Sequence, residues 1–224
     1  HNGTAVSGAD YAGATNTLDL TANALKTATI AGNLADSTIT FSQAVSVKVK
    51  AITTLAVTGD ITNSDIRTAG NIGTVKARSL ANSILFAGVQ DAVDTLPAAA
   101  GDFIDLTAAN LPVITSLQLT GFPPAQITPV FTTSYVAAGK ITSVKFPGSN
   151  EALVDATGAS ANFGFATRLG VTTYTGPISA GFYVSPLTST IVGAECFGSS
   201  GHSYAMAHGS LECKPAAMLA RYCP

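Results

Sequence analysis

One eight-residue pattern recurs along this chain and constrains its fold more than any other feature. It reads Ile-x-(Thr/Ser)-(Leu/Val)-x-apolar-x-Gly and runs from Ile52 to Gly59, from Ile114 to Gly121 and from Ile141 to Gly148. Looser copies begin at Leu25 (ending at Gly32), at Ile72 and at Leu169 (ending at Gly176). A unit this short cannot bury its own apolar face, so it has to stack on its neighbours.

The starts at 25, 52, 72, 114, 141 and 169 are separated by 27, 20, 42, 27 and 28 residues. The shortest spacing is close to one coil of a β-solenoid. The 27 and 28 are one coil plus a loop, and the 42 is either two coils or one coil with a large insertion. Within the unit, apolar fourth and sixth positions alternate with Thr, Lys or Gln, the period-two mark of a strand with one face buried. The closing Gly suits a corner. A second motif follows: Ile61-Thr62-Asn63-Ser64-Asp65-Ile66 matches Leu80 to Leu85 and Leu34 to Ile39. Its Asx-Ser pair between apolar positions reads as a second corner leading into a second short strand.

The expected fold is therefore all-β, a parallel β-helix (β-solenoid) of about 20-residue coils with loop insertions and an irregular C-terminal tail. Residues 1–194 form the solenoid, with an insertion at 89–111, and 195–224 form a Cys/His-containing tail or cap. Leu55, Leu117 and Val144 belong to one internal stack and Val57, Leu119 and Phe146 to the next, with Lys76 and Lys145 outward. A β-sandwich of regular hairpins is the competing architecture.

Charged residues are only 11% of the chain, against about 25% in an average globular protein. With a net charge of −2, nothing in the overall balance invites nucleic acid or an anionic membrane surface. The chain opens at His1, without an initiator Met or a signal peptide, and reads as a mature or trimmed product. Asn2-Gly3-Thr4 fits a glycosylation sequon, a weak signal on its own. The uncharged runs 106–139 and 169–194 are broken by Pro, Gly and polar residues, so neither reads as a membrane span.

The insertion concentrates acid. Asp91, Asp94, Asp102 and Asp105 surround a Pro97-Ala98-Ala99-Ala100-Gly101 turn. They are the candidate metal ligands, with Ca²⁺ as the matching cation because it takes six to eight hard oxygens. The spacing fits neither an EF-hand loop nor the Gly-rich nonapeptide repeats. The competing reading is a solvated excursion with a short helix at 91–96. Phe and Tyr become denser after Phe122 and read as core stacks, while the absence of Trp argues against an aromatic sugar platform.

All three cysteines (Cys196, Cys213, Cys223) and both internal histidines (His202, His208) fall in the last 30 residues. A disulfide-bearing cap, a metal site and appended foreign sequence all fit, although the spacings match no standard zinc pattern. Gly198-Ser199-Ser200-Gly201 has the wrong spacing for a nucleophile elbow. No HExxH, P-loop or GxGxxG run occurs.

The runs Gly59 to Ser64, Asn71 to Ala77 and Asn162 to Gly170 resemble the coils of bacterial secreted β-solenoid repeat proteins of the adhesin-like kind. That resemblance covers about residues 15 to 190 and implies export, a secreted or cell-surface location and an elongated shape. It carries no catalytic residue across. The expected function is a surface or adhesive binding module with a carbohydrate or small-molecule ligand. The alternative is a Ca²⁺-assisted hydrolase acting on a small ester or lactone or on a polysaccharide, with Asp60, Asp65 or Glu151 joining the insertion's ligands. No organic cofactor, nucleic acid or membrane insertion is expected. An uncapped end would let two copies pair edge to edge as a homodimer.

Overall fold

Short segments that alternate apolar and polar residues, rich in Thr, Ile and Val, favour strands whose free edges need partners. In the computed structural model they find them in parallel, and the protein is all-β. The structure describes residues 6–8, 17–19, 24–41, 50–104, 111–122, 129–147, 154–155, 163–167, 170–175, 182–184, 189–192, 202–207 and 210–215.

The chain enters through β1 (Val6–Gly8) and β2 (Thr17–Asp19). The next pass is β3 (Leu25–Ile30), β4 (Leu34–Ala35) and β5 (Thr38–Phe41). It is followed by β6 (Lys50–Val57), β7 (Ile61–Thr62) and β8 (Asp65–Thr68). Then come β9 (Asn71–Ala77), β10 (Leu80–Ala81) and β11 (Ile84–Ala87). After the insertion the order resumes with β12 (Val113–Leu119), β13 (Phe131–Thr132) and β14 (Tyr135–Ala138). The last passes are β15 (Lys140–Lys145), β16 (Val154–Asp155), β17 (Phe163–Thr167), β18 (Gly170–Thr175), β19 (Phe182–Val184) and β20 (Ser189–Val192).

Three parallel sheets take these strands in turn. An eight-stranded sheet runs β1-β3-β6-β9-β12-β15-β18-β20, a five-stranded one β16-β13-β10-β7-β4 and a seven-stranded one β19-β17-β14-β11-β8-β5-β2. Separate from them, β21 (His202–Ala207) and β22 (Ser210–Pro215) form an antiparallel pair in which Tyr204 faces Cys213. Cys196, His208 and Cys223 lie outside the described residues. No helix of the described residues is long and apolar enough to cross a membrane.

The rows match the expected stacks. Ala28, Leu55, Val75, Leu117 and Val144 are cross-strand partners in sequence along the eight-stranded sheet. Leu55, Val75 and Leu117 are fully buried. Val57 and Leu119 are buried in the next row, and Phe146 is buried just past the end of β15. Phe146 stacks on Phe131 with ring centroids 5.3 Å apart, and Phe131 stacks on Phe165 at the same distance. Lys76 and Lys145 are exposed. Because Ile72 pairs with Ile114, the 42-residue interval is one pass with an insertion.

Two expectations need correction. Ser143 pairs with Thr173, so the sixth unit begins in register at Val171 and not at Leu169. A shift of two residues keeps side chains on the same face, which is why the alternation alone did not expose it. No helix forms at 91–96 either. A turn occupies Asp91–Ala92, and a single 3-10 turn spans Ala100–Asp102.

The Asx-Ser motif makes a corner whose chemistry repeats at four successive passes. Asp36, Asn63 and Asn82 have φ near +49°, +48° and +48°, a left-handed conformation that short Asx side chains tolerate. Thr133 holds the same place at +42°; being β-branched, it hides the fourth corner from a search for Asx. The serine that follows each is buried. The Ser37 amide donates to the Ser64 hydroxyl, the Ser64 amide to the Ser83 hydroxyl and the Ser83 amide to the Ser134 hydroxyl. The hydroxyls of Ser37, Ser64, Ser83 and Ser134 each donate to the carbonyl two residues back. Buried turn amides, which the sheets leave unpaired, are satisfied by this ladder.

Candidate functional site

The largest departure from the repeat begins at Gly88. Its φ is +69°, and a side chain there would meet the Pro112 ring, so the exit and re-entry of the insertion touch. The two arms then pair: Val89 bridges Phe103 antiparallel, the Gln90 amide donates to the Asp102 carbonyl and the Ile104 amide to that of Gly88. The excursion lies over the outer face of the seven-stranded sheet. There Phe86, Ala137 and Ala166, neighbours in one row, are covered by Val89, Leu96 and Phe103 in a second apolar cluster.

Arg67 pins it in place. This residue continues the row beside Phe86, and its side chain is only 8% exposed. Its Nε donates to both carboxylate oxygens of Asp65 at 2.7 and 2.8 Å. Nη1 donates to the Val93 carbonyl at 2.8 Å and to the Asp91 carbonyl at 3.3 Å, and Nη2 to Asp94 Oδ1 at 2.7 Å. The guanidinium carbon sits 5.2 Å from the Phe86 ring centroid. A planar, permanently charged fork can serve two carboxylates, two carbonyls and a ring face together, as a lysine could not.

Beside this clamp a cleft of about 60 Å³ opens, lined by Thr40, Arg67, Thr68, Gln90, Asp91 and Ile104 among others. The proposed metal ligands are distributed around the excursion. Asp94 is the ion-pair partner of Arg67. Asp102 accepts from the Ala98 and Ala99 amides at 2.7 and 2.8 Å, closing the Pro97–Gly101 turn. Asp91 is exposed at the cleft and offers its backbone carbonyl to Arg67. Asp105 lies outside the described residues. Among the described residues no group of three or more His, Cys, Asp or Glu is placed to hold a metal ion.

A second ion pair braces the corner between β9 and β10 against the one between β6 and β7. Arg78 donates to Asp60 through Nε, at 2.9 Å, and through Nη2, while the Ser79 hydroxyl donates to Asp60 Oδ1 at 2.6 Å. Burial pushes the Asp60 carboxyl up, but the hydrogen bonds from Arg78 and Ser79 and the Arg78 charge outweigh it, holding Asp60 below the ordinary aspartate value. The hydrogen bond to Asp60 raises Arg78 in turn. The Phe122 ring lies 4.4 Å from the Arg78 guanidinium carbon. Asp60 and Asp65, held as further ligands in the hydrolase reading, are thus each paired with an arginine. Glu151 lies outside the described residues.

Sequence reasoning found the excursion and its acids but missed Arg67. The available signal was complementarity: a lone arginine at an outward strand position, one pass before four aspartates, in a chain poor in charge. No family model, no curated protein and no solved structure matches this chain.

Proposed function

We propose that this chain is a parallel β-helix exported to the cell surface, and that it works there as a non-catalytic binding module. Strand sharing supports the β-helix: from β3 to β17 each successive pass adds one strand to each of the three parallel sheets. The observation that carries the binding reading is the use made of the excursion's polar groups. Asp65 and Asp94 are held by Arg67, and Asp102 by two amides, so these carboxylates brace a loop on a rigid wall. A general acid, base or metal-bound water needs a group free to change partner during turnover. A braced loop on a long repeating surface suits recognition by contact area instead.

The test is a panel of surface polysaccharides and small glycans measured by calorimetry, alongside ester, lactone and polysaccharide hydrolysis with Ca²⁺ or with chelator. Saturable binding without turnover is the expected result. Turnover that chelator abolishes would replace this reading with a metal-assisted hydrolase drawing on Asp91, Asp94, Asp102 and Asp105.

A further inference from the structure

The outer face of the eight-stranded sheet has a charge composition unlike the rest of the chain. Among the described residues, its strands contain Lys26, Lys50, Lys76, Lys140 and Lys145 and neither Asp nor Glu. Those strands therefore carry +5; the whole chain is −2, so everything else sums to −7. Strands of the other two parallel sheets, by contrast, include Asp19, Asp65 and Asp155 against the single cation Arg67. All five lysines are exposed, and none forms an ion pair among the described residues.

The register arranges four of these lysines around a hydroxyl strip, with Lys26 at its end opposite Thr53. Thr27, Thr54, Thr74, Ser116 and Ser143 are partners along one row, none of them buried. Beside that row Thr53, Thr115 and Thr142 add a second hydroxyl on β6, β12 and β15. Lys50 and Lys140 stand where their strands begin, on one side of the strip. On the other side Lys76, Gln118 and Lys145 are successive partners. The Lys50 side chain lies against the strip, its Cδ being 3.1 Å from where a side chain on Gly73 would begin. At about 4.8 Å per strand, Lys76 and Lys145 are roughly 10 Å apart along the stacking direction, and Lys50 and Lys140 roughly 14 Å.

We infer that this face binds a linear, carboxylate-bearing polysaccharide lying along the stacking direction. The inference rests on the binding-module reading above and assigns its ligand class and surface. Lysines on both sides pair with carboxylates of the polymer. Thr and Ser hydroxyls and the Gln118 amide exchange hydrogen bonds with its hydroxyl groups. The hydroxyl row of the protein, one Thr or Ser per strand from β3 to β15, suits a ligand that is itself a repeat. Two absences on this face, among the described residues, separate the ligand from its rivals. Outward positions of β3, β6, β9, β12 and β15 carry no aromatic ring on which nucleobases could stack. They carry no arginine fork for phosphate either.

The experiment uses the full chain and alginate, a polyuronate, as the probe, with dextran and duplex DNA as comparators, in low and high NaCl. The fourfold variant Lys50→Gln, Lys76→Gln, Lys140→Gln, Lys145→Gln removes the flanking charge, and Lys214→Gln, outside this sheet, is the control. The expected result is alginate binding that weakens with salt, no binding of dextran, and a loss of roughly tenfold or more in the fourfold variant, since several exposed pairs are removed together. Should the fourfold variant fail to fold, the pair Lys76→Gln, Lys145→Gln carries the same test with a smaller loss. Alginate binding equal in wild type and lysine variants would overturn this face and leave the binding-module reading standing. DNA binding as tight as alginate binding would overturn the ligand class. No alginate binding would overturn the inference outright, while the glycan and hydrolysis panels would decide the module reading separately.

Discussion

Ser83→Ala isolates the corner ladder. The Ser83 hydroxyl accepts the Ser64 amide at 3.1 Å and donates to the Ala81 carbonyl at 2.7 Å, and the residue is 1% exposed. Removing the hydroxyl affects the two partners unequally. The Ala81 carbonyl keeps a second donor, the Asn63 amide at 3.0 Å. The Ser64 amide has no second acceptor among the described residues, and the space left by one hydroxyl is too small for a water. One buried donor is orphaned, which costs about 1–3 kcal/mol. For a chain of this size that lowers the melting temperature by about 2–12 °C. Calorimetric melting measures the total, and hydrogen exchange at the Ser64 amide measures the site. Ser143→Ala, which removes a half-buried hydroxyl from the outer strip, is the control and should stay within about 0.5 kcal/mol of wild type. If Ser83→Ala is no more destabilising than Ser143→Ala, the ladder is a consequence of the corner geometry and does not stabilise it.

Three further predictions concern other parts of the frame. Leu117→Ala, at a fully buried position between Val75 and Val144, should destabilise by about 2–5 kcal/mol in a denaturant titration. Arg67→Ala should release the excursion: exchange at the Gln90 and Ile104 amides accelerates while β11 stays protected. The stability loss should be only about 1–3 kcal/mol, because the Asp94 side chain is 80% exposed and that pair is screened. Asp60→Asn should lower stability at neutral pH. Since the folded Asp60 value is depressed, its contribution is present above the ordinary value of 3.8 and is lost as pH falls through the folded value. Wild type and variant should therefore converge in acid; a gap that stays constant down to that range would remove the pair from the account of acid stability.

The repeat made the strands, their inward rows and most corners legible because period-two alternation and Asx-Ser turns are local signals, written within six to eight residues. Leu55 beneath Leu117, the outward Lys76 and Lys145, and the corner at Asn63-Ser64 all follow from them. Tertiary structure decided what local patterns leave degenerate. The sixth unit could start at 169 or 171 without changing the face it presents, and pairing with Ser143 selects 171. Thr133 makes a corner without an Asx signature, and the Ser134 that follows it is stacked on Ser83 as the earlier serines are stacked on one another. Arg67, distant in sequence, meets Asp94 and the carbonyls of Asp91 and Val93 only once the chain is folded. The lysines, scattered through the chain, gather on one face only when stacking converts intervals of 20 to 42 residues into neighbouring strands. A charge pattern with that spacing is a property of the pairing register, and no single stretch of sequence contains it.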